Sequence, residues 1–160
     1  MTWEDIAYAA VVVLVIAGLL GIGYRRDKLS RDALRAFAKR HGLKFQEEQP
    51  FKRVSAHGEG KYRGKDLYVG YTWVKDFTPG IGPAPGGQSI AVVALTIGST
   101  ERIDRQSPLV RDFLNGTGTL SEKAVCYSFP QRKFRAITLE EIETAFDLVR
   151  KVAATEIKSA

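Results

Sequence analysis

The chain has 160 residues, of which hydrophobic types make up 44% and charged types 26%. That composition excludes a disordered tail and leaves room for one packed domain, not two. Lys and Arg number 24 against 18 Asp and Glu, a net charge of +6, and a single cysteine, Cys126, excludes an intrachain disulfide.

No charged residue occurs from Ile6 to Tyr24. About 19 residues at about 1.5 Å each span close to 30 Å, the thickness of a bilayer's hydrocarbon core. Trp3 and Tyr8 near one end and Tyr24 at the other stand where amphipathic rings prefer the headgroup region. A cleavable secretory signal would begin with basic residues and end at a small-x-small site. Here the start is acidic, with Glu4 and Asp5, and Gly21-Ile22-Gly23-Tyr24-Arg25-Arg26 is a poor cleavage sequence. Residues 1–26 therefore read as a retained transmembrane helix with a short tail, and 27–160 as one small domain.

Orientation follows from charge. Arg25, Arg26, Lys28, Arg31, Arg35, Lys39 and Arg40 all lie just beyond the apolar run, so the N-terminus is expected outside and the domain on the cytoplasmic side. Within the span, Ala7, Ala10, Leu14, Ala17 and Gly21 fall on one helical stripe, and Ala17 with Gly21 forms a small-xxx-small pair suited to close helix packing. No His, Asp, Glu, Lys or Arg lies within it, so it offers neither a haem ligand nor a proton relay.

Ser30 reads as the N-cap of a second helix over Arg31–Arg40, stopped by Gly42, with Leu34, Phe37 and Ala38 as its inner stripe. Arg31, Arg35 and Lys39 share another face of that helix. Together with Arg25, Arg26 and Lys28 they are the expected contact with anionic lipid headgroups. Strands are expected over Leu43–Phe45, Val54–Tyr62 and Leu67–Val74, the last two joined by a hairpin at Arg63-Gly64-Lys65. Apolar residues on both faces make Leu67–Val74 a central strand.

The segment 75–88 is rich in Gly and Pro and reads as a long loop. Its glycines precede a strand, Ile90–Ile97, and not a helix, which argues against a phosphate-binding loop. Ser107-Pro108 starts a short helix ending near Asn115-Gly116, and Ala124–Phe129 is a further strand. Thr138 and Glu141 form a capping box for the final helix, with Ile137 stapling onto Ile142. The expected architecture is α+β: a transmembrane helix, then a mainly antiparallel sheet of about four or five strands packed by helices.

Chemistry is sparse. The two histidines, His41 and His57, have no second metal ligand nearby in sequence, and no nucleophile elbow surrounds any serine. His57 is the one residue to watch as an acid or base, although a strand histidine beside a hairpin is the simpler reading. Cys126 reads as a buried strand thiol, and Glu47-Glu48 and Glu140-Glu141-Glu143 as solvated or helix-start acids. Lys61, Tyr62, Arg63, Lys65, Tyr68, Tyr71 and Trp73 interleave basic and aromatic groups as a nucleobase-stacking sheet does, but RNA-binding consensus motifs are absent and nucleic acid is disfavoured.

No catalytic, cofactor-binding or metal site is expected. The sequence points to a non-catalytic accessory subunit of a larger integral-membrane complex, respiratory and photosynthetic assemblies being a natural setting, with other membrane subunits as partners. The alternative is a membrane-tethered basic module that binds anionic lipid or an acidic protein.

Overall fold

The computed structural model describes residues 3–47, 56–74, 88–129 and 135–155. Helix α1 spans Trp3–Arg40 without interruption, 38 residues or about 57 Å. Its first part is long and apolar enough to cross a membrane, and none of its most apolar 18-residue window is buried within the chain. Leu14 is 72% exposed, whereas Leu34 and Phe37 are at most 1% exposed. One helix therefore has an exposed apolar half, without partners among the described residues, and a half that belongs to the core.

This continuity corrects the expectation of a second helix capped by Ser30. Nothing in Arg25-Arg26-Asp27-Lys28-Leu29 breaks a helix, so propagation continues through Ser30. The Ser30 hydroxyl donates to the Arg26 carbonyl at 3.0 Å, a back-bond typical of a helix interior. Gly42 does end the helix. Its φ of 67° permits a left-handed turn in which Leu43 N–H donates to Ala38 O at 2.8 Å and Gly42 N–H to Lys39 O at 3.4 Å, with Leu43 and Ala38 both buried.

Beyond α1 the fold is α+β. Strands β1 (Lys44–Glu47), β2 (Ala56–Tyr62), β3 (Lys65–Val74), β4 (Gln88–Thr96), β5 (Gly118–Leu120) and β6 (Ala124–Ser128) form one antiparallel sheet in the order β1-β2-β3-β4-β6-β5. The sheet has six strands where four or five were expected. The additional one, β5, is three residues long, too short to show alternation, and is placed by the Phe113 ring lying where a Cβ on Gly118 would be. The β2–β3 hairpin turns at Arg63-Gly64, both at positive φ, as a two-residue turn requires. The central position expected for Leu67–Val74 is found in β3, third of six. The expected loop 75–88 lies outside the described residues except for Gln88, which opens β4.

Helices α2 (Pro108–Asn115) and α3 (Leu139–Ala153) join α1 on one face of the sheet. Leu67 and Val69 of β3, Val93 and Leu95 of β4 and Val125 of β6 meet Phe37, Val110, Phe113, Ile142, Phe146 and Val149 in one core. Each large side chain so buried contributes about 1.5–3 kcal/mol. The Thr138–Glu141 capping box forms as expected, with Glu141 N–H donating to Thr138 Oγ1 at 3.2 Å and Thr138 N–H to Glu141 Oε2 at 2.9 Å. Helix α1 packs against β2 at two glycines. A Cβ on Gly58 would stand 2.9 Å from Ala38 Cβ, and one on Gly60 2.9 Å from Leu43 Cδ2.

Ser30 joins this frame a second way: its hydroxyl accepts the backbone N–H of Ile137 at 3.1 Å, just ahead of α3, and is 2% exposed. Replacing it leaves the part-buried Ile137 N–H without this partner, so Ser30→Ala is expected to cost about 1 kcal/mol or more in urea unfolding of the detergent-solubilised chain. A variant as stable as the parent would show that this bond does not hold the junction.

Candidate functional site

The basic residues beyond the apolar run divide by what they touch. Arg31 Nη1 reaches Glu47 Oε1 at 2.8 Å and Arg35 Nη2 reaches Glu47 Oε2 at 2.7 Å, so one carboxylate at the end of β1 joins two successive turns of α1. Arg35 also lies over the Phe45 ring at 5.3 Å. Glu47, read from sequence as solvated charge, is a brace between helix and sheet. Each of these ion pairs is solvent-accessible and contributes at most about 1 kcal/mol, their geometry mattering more than their strength. Arg26 pairs with its neighbour Asp27 at 2.7 Å. Arg25, Lys28 and Lys39 are exposed, with no ion pair to a described residue.

Tyr71, on the core face of β3, approaches Ser30 and the charges of Asp27, Arg26 and Arg31. Burial pushes its phenol above the usual tyrosine range, an effect larger than the opposing influence of Ser30. At the other end of the buried half of α1, Arg40 and His41 share Glu143 of α3 at 3.0 and 2.9 Å. The His41 ring stands 4.3 Å from Phe37 and 4.9 Å from Phe146. Two polar anchors thus bracket the apolar seam that α1 makes with the domain.

The opposite face of the sheet carries no described helix. His57 stacks on Tyr68 at 5.6 Å, with its Nδ1 buried and without a hydrogen-bond partner among the described residues. Gly70 lies beside it, where a Cβ would come within 2.5 Å of His57 Cβ. Cys126 shares this face but stands three strands away, about 14 Å, so thiol and imidazole do not meet. Burial raises the Cys126 pKa, opposite to what a nucleophilic thiolate needs. No cluster of three His, Cys, Asp or Glu residues able to hold a metal occurs among the described residues.

The basic and aromatic series does not form one surface. Tyr62 faces the helices, 5.0 Å from Phe146 and bonded by Arg150 at 3.2 Å, and Tyr71 faces Ser30, while Tyr68 lies on the other side with His57. The small-residue stripe Ala7, Ala10, Leu14, Ala17 and Gly21 is exposed along its length, and a Cβ on Gly18 or Gly21 would meet nothing within 4 Å. The junction of Ser30, Glu47, Tyr71 and Ile137 was not evident from sequence, because its bonded partners lie 12 to 107 residues from one another along the chain. Scans against protein-family models, curated proteins and solved structures found no match.

Because burial disfavours the phenolate, Tyr71 keeps its proton in the folded chain at a pH where the unfolded chain has begun to lose it. The resulting stabilisation is complete below the ordinary tyrosine value of about 10 and is lost as pH rises through the raised folded value. Tyr71→Phe should therefore lose stability less steeply than the parent above about pH 10. Urea midpoints measured at about pH 8 and about pH 10.5 test this, and equal slopes would remove Tyr71 from the account.

Proposed function

We propose that the protein is a non-catalytic accessory subunit of a larger integral-membrane assembly. Helix α1 would cross the membrane once, with the N-terminus outside and the sheet domain in the cytoplasm. The observation that carries this reading is the unbroken helix Trp3–Arg40, which joins an exposed apolar half, without partners among the described residues, to a half buried in the domain core. A rigid connection of this kind suits a part that braces a neighbour, since force or position at one end reaches the other without a hinge.

Two further features support it. The stripe Ala7, Ala10, Leu14, Ala17 and Gly21 offers a close-packing face to another membrane helix. Polar groups of the domain, including Glu47, Glu143 and Tyr71, are engaged in holding the fold together. Bioenergetic complexes, respiratory or photosynthetic, fit such a subunit. The competing reading, a membrane-tethered module for anionic lipid or an acidic protein, is favoured by Arg25, Lys28 and Lys39, whose charges are not spent on described partners.

The two readings separate on a native gel. Gly21→Leu should leave the protein in the membrane fraction, because hydrophobicity rises, but remove it from the large complex. Leu19→Phe, off the small-residue stripe, should have no effect. Retention of Gly21→Leu in the complex would reject this face, and a parent chain that migrates alone would favour the tethered module. The orientation has its own test. Protease added to intact cells should spare the domain because the basic flank is retained inside. Digestion without permeabilisation would reverse the topology.

A further inference from the structure

The span reading, on which this inference rests, fixes more than an anchor. Tyr24 ends the apolar run, and Ser30 is the first buried residue of α1 after it. The helical rise between them is about 9 Å. The headgroup layer on each side of a bilayer is about 5–8 Å thick, and a typical helix tilt of about 20° shortens the rise by only a few per cent. The helix that leaves the membrane is the helix that enters the core, with no linker between.

The end of the sheet level with Ser30 follows from contacts. Ser30 holds Ile137, Glu47 at the end of β1 holds Arg31 and Arg35, and Tyr71 near the end of β3 approaches Ser30 and Arg26. The register places Ala56, Tyr71, Ala91 and Phe129 at this same end, and the β2–β3 turn and the start of β6 at the other. From Gly58 beside Ala38 to Gly60 beside Leu43, β2 follows α1 in the same direction. β2 thus runs away from the span, and the strands stand on end with respect to the bilayer.

We infer that this end of the sheet rests against the lipid headgroups, with Arg25 and Lys28 in the anionic layer, and that the Arg31, Arg35 and Lys39 stripe is not the lipid contact. Arg31 and Arg35 are drawn to Glu47. Lys39 lies about 16 Å farther along α1 than Lys28, beyond the depth of the headgroup layer. Among the described residues, three carboxylates near this end are engaged within the chain, Asp27 by Arg26, Glu47 by Arg31 and Arg35, and Glu141 by Thr138 and Arg135, while Glu140 is exposed without an ion pair. The unspent charges of Arg25 and Lys28 at that depth favour anionic lipid.

The test uses the full chain in mixed phosphatidylcholine and phosphatidylserine vesicles, with Cys126→Ser removing the native thiol. Single fluorophores are attached through Tyr24→Cys at the span's end, Glu140→Cys at the start of α3 near Ile137, and Glu122→Cys in the β5–β6 turn at the far end. Headgroup nitroxides should quench the first two and spare the third. Quenching at position 24 but not at 140 would show that the domain stands clear of the bilayer while the span reading survives. No quenching at position 24 would overturn the span reading and this inference together. Moving the nitroxide from phosphatidylcholine to phosphatidylserine should raise quenching at position 140 about two- to threefold, and Arg25→Glu with Lys28→Glu should abolish the difference. Equal quenching by the two lipids in the parent would reject the anionic preference.

Discussion

An α-helix without a break transmits position along its whole length, and α1 does this from Trp3 to Arg40. Its second half is built into the domain by Leu34, Phe37 and Ala38, so the domain cannot turn or shift without taking the apolar half with it. The contact that defines the junction is the Ser30 hydroxyl. It satisfies the Arg26 carbonyl within the helix and the Ile137 amide outside it, which ties the start of α3 to the last turn before the core.

The rest of the packing is arranged to let α1 lie close. Gly58 and Gly60 bring β2 within reach of Ala38 and Leu43, distances that a side chain on either glycine would prevent. Polar anchors hold the two ends of the seam, Glu47 with Arg31 and Arg35 at one and Glu143 with Arg40 and His41 at the other. These solvent-accessible pairs are individually weak, and apolar burial supplies most of the stabilisation. Their value is directional: each fixes where along the sheet a given turn of α1 must lie.

The same arrangement accounts for the chemical character of the domain. Carboxylates that a sequence reading leaves as solvated surface, Glu47 and Glu143, are consumed in joining elements, and the half-buried Tyr71 and Cys126 are held toward their neutral forms. His57 and Cys126 occupy the same face yet stand three strands apart. Among the described residues, the exposed apolar half of α1 and, just beyond it, Arg25 and Lys28 are left available.

Local patterns were enough to establish the apolar run, the Gly42 stop, the Arg63-Gly64 hairpin, the central place of β3 and the capping box of α3. Each depends on residues a few positions apart, whose conformational preferences act before the chain folds. Tertiary structure decided the part Ser30 plays, since an N-cap serine and a back-bonded interior serine look identical in sequence and the amide it also holds, that of Ile137, lies 107 residues away. It also decided that three residues at Gly118 form a strand, and that Glu47 and Glu143 join helix to sheet and helix to helix. Those outcomes rest on partners far apart in the chain, and a sequence pattern holds no record of distance between residues that meet only after the core has formed.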